Sequence, residues 1–386
     1  MTRVAVVGIG HSRFGRRTDV NLGELAFESI KQAIDDAGVD KKDINNVVVG
    51  SMGAWSEEAL PAVVVNEYAG LSGAGTMRVE AACASGSAAV KSAYNSIVSG
   101  EGNLALAVGV EKMTEVDSST SVELIGRAGS YFWEFENFGI TFPAYYALYA
   151  TAHMTKFGTT QEDLSRVAVK AHHYGALNPL AQFQKEITLE KAMDSQVVAW
   201  PLRLFDACPL TDGSAAVVLA SEEVARTITD TPIWIRGVGY SSDSANMSRR
   251  GDYVGLEAVV KAAKSAYAMA KVTPGDIDVA TAHDCFTIAE LMAYEDLGFC
   301  RKGDGAKMIR EGETELGGRI PVNLDGGLKA KGHPIGATGV SMTVEITKQL
   351  RGEAGRHQAP IKNGVGLVHN VGGTGHYAYV TILSRS

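Results

Sequence analysis

Cysteine is scarce, with four in 386 residues and no C-x-x-C pair among them. That spacing argues against a disulfide framework and for a reducing, cytoplasmic setting. The few cysteines are therefore read as thiols, buried or reactive. No apolar run approaches the roughly 18 residues that a membrane span requires. No basic run is present either, and 36 basic against 44 acidic side chains leave a net charge of −8. Nucleic-acid binding is disfavoured on that balance. The N-terminus lacks the pattern of a signal peptide, since Val4-Ala5-Val6-Val7-Gly8 is closed by His11, Arg13, Arg16 and Arg17, which reads as a first strand.

Globular composition is present in full. Hydrophobic residues make up 45% and charged residues 21%, which excludes disorder for the bulk of the chain. At about 150 residues per domain the length allows two to three domains, or one large duplicated one. Glycine is abundant, 43 residues against an ordinary share of about 7%, so close backbone approaches are expected.

The duplication is visible as a repeat. Residues 29–50 (SIKQAIDDAGVDKKDINNVVVG) align without gaps on residues 262–283 (AAKSAYAMAKVTPGDIDVATAH), with Lys31/Lys264, Ala33/Ala266, Ala37/Ala270, Val39/Val272, Asp43/Asp276 and Ile44/Ile277 identical. Upstream, VAVVGIGHS (4–12) echoes IWIRGVGYS (233–241). Each copy reads strand, loop, helix, strand. A second pair follows: the small-residue helix 86–100 with the strand 104–110, and the helix 336–352 with the strand that begins at Gly364. Residues 1–112, with a strand borrowed from about 200–231, form one half. Residues 232–386 form the other, and 113–199 is an inserted loop domain. Alternating β and α elements with apolar strands call for sheets covered on both faces. The helices at 86–100 and 338–350, poor in charge, fit a shared central layer.

Several loops carry chemistry. Cys83 opens the helix at 86–100, where the dipole and free amides favour thiolate; a small buried cysteine fits the same place. His333, in GLKAKGHPIGATG, precedes the matching helix of the second half. It reads as a loop histidine bonded to backbone, or as the partner that a thiolate nucleophile needs. His283, Asp284 and Cys285 close the repeated strand, where ligands bind in sheets of this kind. A zinc reading of His283 and Cys285 lacks two further ligands at fitting spacing. The glycine-rich turn HNVGGTGHY lacks the Lys-Ser/Thr of a phosphate loop. The aromatic run with Phe132, Trp133, Phe135, Phe138 and Phe142 fits an acyl pocket, a dimer contact or an ordinary hydrophobic cluster.

Taken in order, VVGIGHSRFGR, VEAACASGSAA, HMTKFG, NPLAQFQ, ACPLTDGSAAVVLAS, AHDCF, KGHPIGATG and HNVGGTG resemble the thiolase superfamily over the whole chain. The resemblance is strongest to the thiolase domain of sterol carrier protein X and its archaeal relatives. It implies a thiolase fold of duplicated βαβαβαββ halves in five αβαβα layers. It implies acyl transfer between acyl-CoA molecules, by Claisen condensation of acetyl-CoA or thiolysis of a 3-oxoacyl-CoA, with coenzyme A as substrate and no metal. Cys83 matches the nucleophile. His333 matches the histidine that takes its proton and faces the thioester oxygen, and His283 stands where many thiolases have the Asn of an N-E-A-F loop. Asn370 replaces the usual second cysteine, so the resemblance gives the acid/base role to Cys285. The amides of Cys83 and Gly372 match an oxyanion hole. A homodimer or dimer of dimers is implied, and relatives of this type often work with a small zinc-ribbon/OB-fold protein, sometimes also with a second condensing enzyme. The competing readings are a β-ketoacyl-synthase-type enzyme, against which Cys285 argues, and a non-catalytic lipid-transfer or scaffold subunit, against which the retained set of four side chains argues.

Overall fold

Hydrophobic runs with no polar alternation become strands buried on both faces. Val4–His11 (β1), Leu104–Lys112 (β4) and Asp212–Ser221 (β7) are buried at every position. The computed structural model describes residues 2–56 and 58–386. The remaining strands are Asn46–Gly50 (β2), Gly75–Val79 (β3), Val197–Ala199 (β5), Leu202–Arg203 (β6), Ile233–Ser242 (β8), Val279–Thr281 (β9), Val365–Gly372 (β10) and Tyr377–Ser384 (β11).

The sheet order is β3-β2-β4-β7-β1-β8-β11-β10-β9. Read outward from the β1/β8 seam, the two sides are copies. β1 and β8 each pair antiparallel with the next strand, β7 or β11. Those strands pair antiparallel with β4 or β10, which pair parallel with β2 or β9. Even the outermost strand has its counterpart, because Val322 bridges Ala280 in parallel as β3 does β2. The seam itself is thin, with Ala5 opposite Trp234 and Val6 opposite Ile233.

Helices complete the layers. Leu22–Ala37, fixed at its start by an Asn21/Glu24 capping box, covers one outer face, and Glu257–Ala270 covers the other. Between the two halves of the sheet lie Ser85–Val98 and Thr338–Arg351, packed on each other. The second of these is buried over most of its length. The arrangement has the layered, duplicated form that the resemblance implies. The inserted region adds helices Phe142–Phe157 and Gln161–Leu177. Its aromatic run divides: Phe132, Trp133 and Phe138 are exposed, whereas Phe142 is buried.

The central helices meet at their N-termini, and glycine makes that approach possible. A Cβ on Gly86 would sit 2.8 Å from the carbonyl of Gly336 and from the amides of Gly339 and Val340. Helix propensity alone favours Gly86→Ala by up to ~1 kcal/mol, whereas overpacking costs about 1–3 kcal/mol. The substitution is therefore expected to lower the urea midpoint and acyl-transfer rate together; an unchanged midpoint would show that the two helix starts are free to part.

Candidate active site

Cys83 sits on a forced turn. Ala82, just before it, has φ 49°, a left-handed conformation that costs an L-residue on the order of 1 kcal/mol. The turn delivers the sulfur to the first turn of the central helix, with the Ser85 hydroxyl accepting from the Ala81 amide and donating to the Ala82 carbonyl. From the other half, the Gly332-His333-Pro334 loop brings His333 opposite. The end of β9 delivers His283. The Cys83 sulfur and a ring nitrogen of each histidine lie within 4.8 Å of one another, all three side chains buried.

The hydrogen-bond network assigns different tautomers to the two histidines. Thr338 donates its one hydroxyl proton to the Pro334 carbonyl at 3.0 Å. It must therefore accept from His333 Nδ1–H at 2.7 Å, which leaves His333 Nε2 as a lone pair. Asn370 Nδ2 donates to the Cys83 carbonyl at 3.1 Å and to His283 Nδ1 at 3.1 Å. The carbonyl can only accept, so the amide orientation is fixed and His283 carries its proton on Nε2. Among the described residues neither Nε2 atom has a hydrogen-bond partner. The site thus offers one acceptor and one donor beside a thiol. A metal held by all three would need His283 Nε2 stripped of that proton, against the Asn370 contact.

Burial decides the protonation states. The helix N-terminus was the reason to expect thiolate at Cys83, and the amides of Gly373 and Cys83 itself do pull its pKa down. Burial outweighs them, and the thiol is pushed up to about 12. His333 is pushed down to about 3 by the same burial, and His283 well below its ordinary value by burial and by the two neighbouring histidines. The resting pair is a neutral thiol and a neutral imidazole. The amide at the sulfur is that of Gly373, one residue beyond the Gly372 of the motif.

Cys285 lies across a small cavity from this group. Cys83, His333, Cys285 and Cys208 share its wall with apolar side chains such as Met113, Phe142 and Leu210, around about 220 Å³. The Tyr146 hydroxyl hydrogen-bonds the Cys285 thiol, and its ring stacks on Phe286 with centroids 4.5 Å apart. Burial, with Cys208 and Cys83 nearby, holds Cys285 well above the ordinary thiol range. Tyr146, Cys208 and Thr338 were not singled out in the sequence. Cys208 lies inside ACPLTDG and Thr338 follows His333 by five residues, and each could have been found by the motif it sits in. Lys170, one of the scattered cations of the insertion, is buried against Glu290 and the Tyr294 hydroxyl at 2.9 Å; it is not free to meet an anion.

Family comparison agrees with the geometry. The "Thiolase, N-terminal domain" model matches residues 4–223, and "Thiolase C-terminal domain-like" matches residues 239–385. The chain belongs to the thiolase family. This thiolase is 43% identical over 387 residues to an acetyl-CoA acetyltransferase of Methanothermobacter thermautotrophicus, covering 100% of both chains. It is 32% identical to sterol carrier protein 2 of Bos taurus, over 96% of this chain and 70% of that one. Among solved structures, the Ltp2-ChsH2(DUF35) aldolase superposes with TM-score 0.86 at 27% identity, covering 99% and 98% of the two chains. The resemblance to archaeal and sterol-carrier thiolases read from the loops is thereby borne out.

If Asn370 sets the His283 tautomer, nitrogen-15 spectra of the histidines should show Nε2–H at His283 and Nδ1–H at His333, unchanged down to about pH 5 because both rings resist protonation. Asn370→Ala should lower the condensation kcat about 10-fold or more. An unprotonated Nε2 at His283 in the wild type contradicts the assignment.

Proposed function

We propose that this thiolase joins two acetyl-CoA molecules, or splits the corresponding short 3-oxoacyl-CoA with CoA, through a Cys83 thioester. The placement of a lone-pair nitrogen and an N–H nitrogen on either side of the Cys83 sulfur carries the reading. The small apolar cavity supports a short acyl group, and the acetyl-CoA acetyltransferase relative agrees with it.

The chemistry follows from neutral starting groups. His333 Nε2 takes the Cys83 proton as the sulfur attacks the acyl carbon. The oxyanion is met by the Cys83 amide and the Gly372–Gly373 turn; such donors are commonly worth about 3–4 kcal/mol each. Cys285 gives its proton to the departing CoA sulfur, and a His333 imidazolium and a Cys285 thiolate remain. That ion pair replaces two groups that burial keeps uncharged when alone. Cys285 then takes a proton from the methyl of the second acetyl-CoA. The enolate oxygen is held by N–H donors of His283 and His333, and the carbon attacks the thioester. The Cys83 sulfur leaves and recovers its proton from His333, so every proton is returned. Thiolysis is the reverse.

Cys83→Ala is expected to abolish turnover. Cys285→Ala should leave Cys83 able to accept an acyl group, seen as a mass increase of the intact protein, while condensation falls at least about 100-fold. Near-full condensation without Cys285 assigns the base elsewhere. A wild-type chain that never acquires acyl mass would favour a non-catalytic lipid-transfer or scaffold role.

The assembly belongs to the same proposal: a cytoplasmic homodimer or dimer of dimers, working with a small zinc-ribbon/OB-fold protein and in some settings a second condensing enzyme. β3 is an edge strand with most of its residues exposed, among them Met77, and Leu60 and Val63 stand exposed near it; open edges of this kind invite pairing. The partner would supply the nucleotide end of the CoA site. Two cations of the insertion are engaged within the chain, Lys170 with Glu290 inside and Arg166 with Glu162 at the surface, and the solved Ltp2 relative is a complex with ChsH2(DUF35). Light scattering should give at least twice the chain mass at low micromolar concentration. Calorimetry with acetyl-CoA should show weak binding that tightens when a zinc-ribbon protein of the same source is added. A monomer refutes the dimer, and micromolar binding with full activity by the chain alone refutes the partner.

A further inference from the structure

Glu111, near the end of β4, has a fully buried carboxylate whose hydrogen-bond partners are all neutral donors. Its Oε1 accepts from the Ser51 hydroxyl at 3.1 Å and the Gly53 amide at 3.0 Å. Its Oε2 accepts from the Met52 amide at 2.9 Å and the Gly336 amide at 3.1 Å. Ser51–Gly53 leave the end of β2, and a Cβ on Gly50 would sit 2.5 Å from the Ser85 carbonyl in the Cys83 helix. Gly336 follows His333 by three residues. A Cβ on it would meet the carbonyls of Val110 and Gly50 at 2.5 and 2.6 Å. One carboxylate therefore ties the loop beneath the nucleophile to the loop that carries its base, across the boundary between the halves. Met52, Cys83 and Ile335 also share one apolar cluster.

Burying a carboxylate without a cation costs several kcal/mol, offset here by four charge-assisted bonds. A neutral side chain of similar size would hold a simple packing contact more cheaply. What the anion adds is direction, because all four donors converge on two oxygens.

We propose that Glu111 is a positioning residue for acyl transfer, strapping Gly336 to the 51–53 loop so that His333 Nε2 stays in reach of the Cys83 sulfur. The proposal rests on the Cys83–His333 pairing above. Burial raises the carboxyl to about 7, with the four donors opposing the rise. Among the described residues, Cys83 faces it, and the Arg78 guanidinium lies against Gly53, one of its donors; the thiol stays neutral over the same range. As pH falls through about 7 the carboxyl gains a proton, one oxygen turns from acceptor to donor, and the strap loosens.

The test is the rate of Cys83 acylation by acetyl-CoA in a single turnover, read by intact mass across pH, with KM and the thermal midpoint measured alongside. Misplacement of a catalytic group by about 1 Å can cost about 100-fold, so Glu111→Gln should slow acylation about 10- to 100-fold while KM stays within about twofold. It should also lose the acid limb near pH 7 that the wild type shows. Acylation within twofold of wild type, or a loss carried entirely by KM, overturns the proposal. Should Glu111→Gln fail to fold, Ser51→Ala removes one donor, and a severalfold slower acylation at an unchanged midpoint is expected; a full rate there overturns it equally. Wild-type protein that shows no Cys83 acylation overturns the pairing beneath the proposal and the proposal with it, a result distinct from a fast Glu111→Gln.

Discussion

The contact of two helix starts, made backbone to backbone, is the constraint on which this molecule depends. Gly86 and Gly336 touch through atoms that no side chain could replace. Gly339 is equally tight, since a Cβ there would lie 2.2 Å from the Ser87 amide. The Cys83 turn and the His333 loop are the immediate approaches to those helices. Their mutual reach is a by-product of the packing between the two halves, and the pseudo-two-fold order of the sheet makes the two loops equivalent. The same close fit buries the sulfur and the facing ring, and the protonation states follow from that burial.

Burial reverses a simple expectation about nucleophilic thiols. A helix N-terminus stabilises an anion, but only by part of what burial removes. Cys83 and His333 therefore rest as an uncharged pair. Two side chains set this arrangement through the histidine rings. Thr338 and Asn370 each hold one ring nitrogen, and they do so with opposite proton demand, so two chemically identical imidazoles present a lone pair on one side and an N–H on the other.

Much of this was legible in the sequence. The repeat between 29–50 and 262–283 corresponds element by element to helix, short turn and strand in both halves, because small and apolar residues at matching positions demand the same packing. Cys83, His283, Cys285 and His333 stood out because glycine and small residues surround two of them, Cys83 and His333, and a strand end holds the other two. What stayed hidden depends on distance in space. Nothing in VGVEK shows that Glu111 reaches a loop 225 residues away. Nothing in the run around Tyr146 shows that it faces Cys285. The thiolate expectation at Cys83 failed because local sequence reports the helix dipole and is silent on how deeply the sulfur is covered. The aromatic run was read as one feature, and the structure splits it between solvent and cavity.

The thin seam between β1 and β8, with its two paired positions on each side, has a bearing on biogenesis. Apart from that seam the strands of each half pair among themselves, but Cys83 and His333, the proposed nucleophile and base, come from opposite sides of it and from residues 250 positions apart. Contacts of such sequence separation form late. On the roles proposed for Cys83 and His333, a chain whose halves have not yet docked holds a thiol without a base and a base without a thiol. The proposed acyl transfer would therefore switch on only when the two halves have come together.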